Sequence, residues 1–144
     1  MAYTNDVIPK QVRVFAFLLT LIGIGAGIAG YLKPELVVPG FISSTAAHQT
    51  MAMMFAGRNL AMGIMMLFVG IAGIPETFLL IFMIRFLTEL QDIIAMITNA
   101  ATLSAVLPVV IFIAIIMVLE VWVVIAMFGI IRKRNGMPMS RQNP

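Results

Sequence analysis

The sequence contains no cysteine, and only 10% of its residues are charged. Without cysteine, the chain can form no disulfide, no thiolate nucleophile and no cysteine-ligated iron–sulfur cluster. The charged share lies far below the roughly 25% that is typical of globular domains. The chain also lacks a Ser/His/Asp set and the HExxH and P-loop motifs, so nothing indicates a hydrolase, a zinc protease or a P-loop nucleotide-binding protein.

Hydrophobic residues dominate instead, making up 62% of the 144 residues. This composition predicts an integral membrane protein with a single transmembrane domain, residues 1–144. Four hydrophobic runs are long enough to span a bilayer, and their short connections favour an all-α, up-down antiparallel four-helix bundle. The predicted spans cover residues 12–32, 50–74, 76–99 and 108–131.

The connections between these runs carry turn signals. Lys33-Pro34-Glu35 is predicted to end the first span, and residues 36–49 are expected to form an apolar loop. Residues 73–76 (Gly-Ile-Pro-Glu) predict a tight turn that opens the third helix. Residues 100–107 are predicted to form a connector, with Pro108 at the start of the fourth span.

Positive residues lie mainly on one side of the predicted spans. Lys33 is alone in the loops of the opposite side. The excess predicts that both termini lie in the cytoplasm. Since these cations flank membrane segments, the partner they predict is the lipid bilayer and not nucleic acid. They are Lys10, Arg13, Arg132, Lys133, Arg134 and Arg141.

The third span carries a polar seam. Arg85, Glu89 and Asp92 are spaced by four and three residues, which places them on one helix face, and the seam extends to Asn99. A charge at the bilayer centre costs about 2.5–3.5 kcal/mol on insertion scales. This helix is therefore expected to pack against neighbouring helices that supply partners for its charged side chains. Gln91 adds a further polar group to the same span.

Two other charges lie inside hydrophobic runs. Arg58, followed by Asn59, sits roughly 12 Å inside the second span at 1.5 Å per residue. Glu120 lies near the middle of the fourth span. Comparison of depths predicts that Arg58 pairs with Asp92 or Glu89, that Arg85 pairs with Glu89 or Glu120, and that all five converge inside the bundle.

Two arginines against three carboxylates leave one acid unmatched in this predicted cluster. An unmatched buried carboxylate is expected to hold a proton or to bind a cation. Glu120 is the candidate, because its own helix offers no basic partner within a turn. The alternative is a satisfied ion-pair cluster that only fixes helix register, and the sequence leaves both interpretations open.

Three weaker features have simpler explanations. Imidazole and thioether groups suit copper(I), which makes His48, Met51 and Met54 a possible ligand set. Methionine mostly fills space in helix interiors, however, so no metal site is predicted, and the sequence identifies no cofactor. Trp122 is a possible pocket residue beside Glu120, and Gly23 and Gly27 form a GxxxG packing face within or between protomers.

The motif FAGRNLAMGI at residues 55–64, followed by a charged third span, resembles the DoxX-like group of small four-helix bacterial membrane proteins. The resemblance implies a four-helix fold in the bacterial inner (plasma) membrane and a role for Arg58 as a buried helix-pairing residue. Named members of the group are associated with quinone-linked sulfur oxidation or with accessory roles in membrane complexes. This sequence lacks the cysteines of thiol-linked members, and no catalytic residue set carries over.

Three functions follow as hypotheses, and an enzyme is not favoured. The first is an accessory or structural subunit, as a homo-oligomer or within a larger membrane complex, whose charge cluster holds the bundle together. The second is an oligomeric proton-coupled transporter or channel-like protein for a small cationic solute, using Glu120, Glu89 or Asp92. The third is a protein that binds a lipophile of the quinone type beside Trp122.

Overall fold

The computed structural model describes residues 8–36, 46–99 and 103–136, and all regular structure in these ranges is helical. The predicted all-α class is therefore confirmed. Four α-helices follow one another, with a short 3₁₀ helix at Pro34–Leu36 after the first. They are α1 (Lys10–Leu32), α2 (Ala46–Ala72), α3 (Pro75–Asn99) and α4 (Leu103–Gly136).

Three of these helices are long and apolar enough to cross a membrane: α1, the His48–Ala72 part of α2 and the Val106–Gly136 part of α4. This composition indicates a small helical membrane protein. Among the described helices, α3 differs, because Arg85, Glu89 and Asp92 interrupt its hydrophobic sequence.

The turn before α3 lies where its sequence predicts it. Gly73 adopts a positive φ of 66°, a conformation that glycine tolerates without a steric penalty. Its amide donates a hydrogen bond to the Val69 carbonyl at 3.0 Å, which caps the end of α2. Pro75 is the first residue of α3, where its missing N–H removes no helical hydrogen bond.

Two helix starts differ from the prediction. Helix α2 begins at Ala46, so the predicted loop through residue 49 was too long; alanine favours helix, and the Thr50 hydroxyl donates to the Ala46 carbonyl at 2.9 Å. Pro108 lies inside α4 and does not open it. In the second turn, proline removes one hydrogen bond, to the Ser104 carbonyl, and the helix continues around it. Loop residues 37–45 and connector residues 100–102 lie outside the described residues.

The core is built from apolar side chains of all four helices. Helix α1 packs most extensively on α2, and α3 on α4. Phe82 links the two pairs: its ring stacks on Phe78 at 6.2 Å between centroids and on Phe15 of α1 at 6.0 Å. The most buried apolar residues include Val12, Leu19, Met66, Phe78, Phe82, Val123 and Met127.

Glycines form the contact between α1 and α2. A Cβ atom added at Gly27 would lie 2.8 Å from the Leu60 backbone nitrogen, and one at Gly63 would lie 2.8 Å from the Ile24 nitrogen. A Cβ at Gly23 would lie 3.2 Å from the Gly63 Cα. The two backbones therefore approach more closely than any larger residue would allow. The GxxxG motif of α1 packs within the protomer, against α2.

Candidate functional site

An ion pair connects α2 to α3. The Arg58 Nη2 donates to the Asp92 Oδ2 at 2.5 Å, and the two side chains are 34% and 20% exposed. The guanidinium also lies 5.6 Å from the centre of the Phe55 ring, one turn away on α2. The pair therefore bonds α2 to α3 at this position along both helices.

A second, deeper group of charges surrounds Arg85. Its Nη2 lies 2.5 Å from the Glu89 Oε1, one turn along α3, and its Nε donates to the Glu120 Oε1 of α4 at 2.6 Å. The Arg85 side chain is only 7% exposed, and Glu120 is fully buried. We call these three residues the Arg85 triad.

The Arg85 triad uses its arginine in an unusual way. The Nε and Nη2 atoms lie on one edge of the guanidinium, an edge that commonly binds both oxygens of a single carboxylate. Here each nitrogen holds an oxygen from a different carboxyl group, Glu89 or Glu120. The second oxygen of each carboxyl group, Oε2, is buried and has no hydrogen-bond partner. The Arg85 guanidinium therefore bonds to two carboxyl groups, and each of them has one bonded and one unbonded oxygen.

The five predicted charges thus lie in two adjacent groups, the Arg58–Asp92 pair and the Arg85 triad. Asp92 is three residues beyond Glu89 on the same face of α3, close enough for the two carboxylates to repel each other. No direct bond joins the two groups within the described residues. Arg58 is bonded to Asp92, so the triad would carry one excess negative charge with all three of its side chains ionised.

Two of the three predicted supporting polar residues, Asn59 and Gln91, do not join these groups. The Asn59 Nδ2 donates to the Phe55 carbonyl at 2.9 Å along its own helix. Gln91 is exposed on the surface of α3. Asn99 ends α3, and its side chain lies outside the described residues.

Trp122 does not line a pocket beside Glu120. Two residues along a helix correspond to about 200° of rotation, so the two side chains point in nearly opposite directions. Trp122 is 46% exposed, whereas Glu120 is fully buried. An open groove of about 430 Å³ lies elsewhere, at the start of α1, and no residue of the charge cluster lines it; its walls are Lys10, Gln11, Val14, Phe15 and Leu18.

The possible soft-metal ligands lie at the start of α2. Met51 and Met54 are 63% and 71% exposed, and His48 is half-buried. Among the residues that the structure describes, no group of three or more His, Cys, Asp or Glu side chains is placed to hold a metal ion. That finding does not concern methionine sulfur, so the set of His48, Met51 and Met54 stays a possibility from the sequence alone.

One ion pair was missed by the sequence reasoning. Glu76, in the first turn of α3, pairs with Arg134, in the last turn of α4, and both side chains are 43% exposed. The sequence predicts Arg134 only as one of the cytoplasmic cations, and Glu76 only as part of the turn that opens the third helix. The sequence contains a signal for this pair, because an antiparallel hairpin of α3 and α4 brings the acidic start of α3 beside the basic end of α4.

The chain matches no protein-family model, no curated protein and no solved structure. The likeness of residues 55–64 to the DoxX-like group therefore stays an expectation from the sequence.

Proposed function

We propose that this chain is an accessory or structural subunit of a membrane complex, with all four helices crossing the bilayer in up-down antiparallel order. Cross-helix contacts support the order. Along α1, Gly23 lies against Gly63 and the later Gly27 lies against the earlier Leu60, so α1 and α2 are antiparallel. Along α3, Glu76 pairs with Arg134 and the later Arg85 pairs with the earlier Glu120, so α3 and α4 are antiparallel too. Both termini then lie on the side with most cations, the cytoplasm.

Helix α3 supports the four-span arrangement despite its charges. Arg85 and Glu89 are buried, and Asp92 is mostly covered by its pairing with Arg58. Apart from Gln91, the exposed positions in the middle of α3 are apolar and compatible with lipid; they include Leu80, Met83, Ile84, Leu87, Leu90 and Ile94. A helix that hides its charges against neighbours can cross a bilayer at tolerable cost.

The observation that carries the structural role is the distribution of the ion pairs. Arg58–Asp92 joins α2 to α3, and Arg85–Glu120 joins α3 to α4. Charged groups that bond across three successive helices fix their register, which is a scaffolding function. The resemblance at residues 55–64 supports the same role and a bacterial plasma membrane.

Helix α4 supports assembly with other chains or a second copy. It is apolar around most of its circumference, and only 22% of the residues in its most apolar 18-residue stretch are buried. In the bilayer, such a surface faces lipid or a partner helix. Its exposed positions include Ile111, Phe112, Ile115, Val118, Trp122, Ile125 and Phe128.

Native mass spectrometry of the protein, gently extracted from its own membrane, tests the accessory role. We expect the chain to appear together with other membrane proteins in fixed copy number. A chain that appears only alone, or only as a homo-oligomer without other proteins, would contradict the proposal.

The absence of cysteine makes the topology directly testable. Single variants Lys33→Cys and Asn135→Cys place a thiol at exposed positions after α1 and at the end of α4. In intact cells, a membrane-impermeant maleimide should label the first variant only, and the second only after lysis. Equal labelling of both in intact cells would exclude the proposed arrangement; the cysteine-free parent chain is the blank.

A further inference from the structure

We propose that the Arg85 triad binds one exchangeable proton, held by the carboxyl groups of Glu89 and Glu120 together. This goes beyond a scaffolding role, since it assigns a ligand to the cluster. It is independent of whether the protein has partner subunits. Three features of the site carry it: the excess charge, the shared guanidinium edge and the unpartnered oxygens.

The first feature is charge. One guanidinium faces two carboxylates, and one of the three, Glu120, is completely removed from solvent. A net charge in a buried apolar site is strongly unfavourable. One proton from water, bound to one carboxylate oxygen, makes the three groups neutral in sum.

The second feature is the shared edge. Because Nε and Nη2 of Arg85 lie side by side, the two Oε1 atoms that they hold are brought next to each other. Two ionised carboxylates at this spacing repel, whereas a carboxylic acid beside a carboxylate attracts through a short hydrogen bond. The geometry therefore favours one acid and one carboxylate over two carboxylates.

The third feature is the pair of unpartnered oxygens. Each Oε2 is buried with no hydrogen-bond partner, although buried carboxyl oxygens in proteins are nearly always bonded. A proton needs no space beyond these oxygens. A divalent cation such as Mg²⁺ or Ca²⁺ needs six or more oxygen ligands, and this site offers two free ones.

The surrounding helices supply no other charge to neutralise the excess. On α3 the nearest titratable group is Asp92, and on α2 it is Arg58; these two are bonded to each other. The sequence of α1 has no titratable residue between Arg13 and Tyr31. On α4, Glu120 is followed by no charged residue before Arg132.

Infrared spectroscopy of the full chain in lipid nanodiscs tests the proton directly. At neutral pH we expect the wild-type protein to show the C=O stretch of a protonated carboxylic acid, which moves to lower frequency in D₂O. Labelling glutamate with ¹³C at the side-chain carboxyl should shift the same band, because the proton lies on glutamate and not on aspartate.

Two matched variants locate the band. Glu120→Gln and Glu89→Gln should each abolish it, because the remaining glutamate then pairs alone with Arg85 as a carboxylate. Glu76→Gln, at the far end of α3, should leave it unchanged. Helix content, measured by circular dichroism, identifies any variant that has not folded.

Three results would overturn the inference. The first is a wild-type protein without the band. The second is a band that survives in both folded glutamine variants. The third, which does not depend on any variant's folding, is a wild-type band that does not respond to ¹³C-labelled glutamate.

Discussion

The two helix pairs of this protein are held together by different means. Between α1 and α2 the contact consists of glycines, with backbones close enough that a Cβ at Gly27 or Gly63 would collide with the facing helix. Between α3 and α4 it consists of large apolar side chains around the buried charges of the Arg85 triad.

The difference shows two solutions to one problem. In a bilayer, helices gain little from hiding apolar surface, because lipid is as apolar as leucine. One pair gains dispersion energy through close backbone contact. The other gains from electrostatic attraction and hydrogen bonds that lipid cannot supply. Single substitutions in each helix pair can separate these contributions.

Removal of Arg85 should be the most damaging change. Arg85→Met leaves Glu89 and Glu120 without their cation in a buried site, and we expect it to lower the free energy of unfolding by about 3–5 kcal/mol. Titration with SDS in mixed micelles measures this loss. The triple variant Arg85→Met, Glu89→Leu, Glu120→Leu removes every charge and should recover most of it. A loss below about 1 kcal/mol in the single variant would show that charge does not hold this pair together.

Close packing is tested by adding one methyl group. Gly27→Ala would place its Cβ against the Leu60 backbone, so α1 and α2 must separate, at a cost of about 1–3 kcal/mol. Gly25→Ala is the matched control, since a Cβ there meets nothing within 4 Å. That variant should be neutral or stabilising by up to about 1 kcal/mol, because alanine is the better helix former. Equal effects of both variants on thermal unfolding would contradict the backbone contact.

The link between α2 and α3 should show in a double-mutant cycle. Arg58→Met and Asp92→Leu each remove one member of a part-exposed ion pair. We expect each single variant to destabilise the protein and the double variant to recover part of the loss. The coupling energy should be on the order of 1 kcal/mol. Additive effects in SDS titration would mean that the two side chains contribute independently.

The exposed ion pair at the end of the α3–α4 hairpin should contribute least to stability. Glu76 and Arg134 are each 43% exposed, and exposed ion pairs are worth about 0–1 kcal/mol. Glu76→Gln should therefore change the unfolding midpoint only slightly, and the change should vanish at high salt, which screens exposed charges. A larger, salt-independent effect would place this pair among the determinants of α3–α4 association.

Much of this structure follows from local signals. Hydrophobic runs and turn residues locate four helices, and Gly73 and Pro75 mark the sharpest boundary. The predicted start of the fourth helix at Pro108 was wrong, because residues 103–107 before this proline are already helical.

Counting residues along the helices limited the possible charge pairs but did not decide among them. Depth allowed Arg85 to bond to Glu89 or to Glu120, and the structure contains both bonds. Rotation about the helix axis, which depth does not describe, separated Trp122 from Glu120. The role of these residues in function stays a prediction.

The bond between Arg85 and Glu120 joins residues that are 35 positions apart in the chain. During synthesis, α3 leaves the ribosome before Glu120 of α4 exists, but the charges of α3 already have partners: Arg85 bonds to Glu89, and Asp92 bonds to Arg58 of α2. Glu120 is the charge that arrives without a partner within a turn of its own helix, and a lone carboxylate makes α4 costly to insert by itself. In the proposed four-span arrangement, α4 is therefore expected to enter the bilayer against α3, with Glu120 bonded to Arg85.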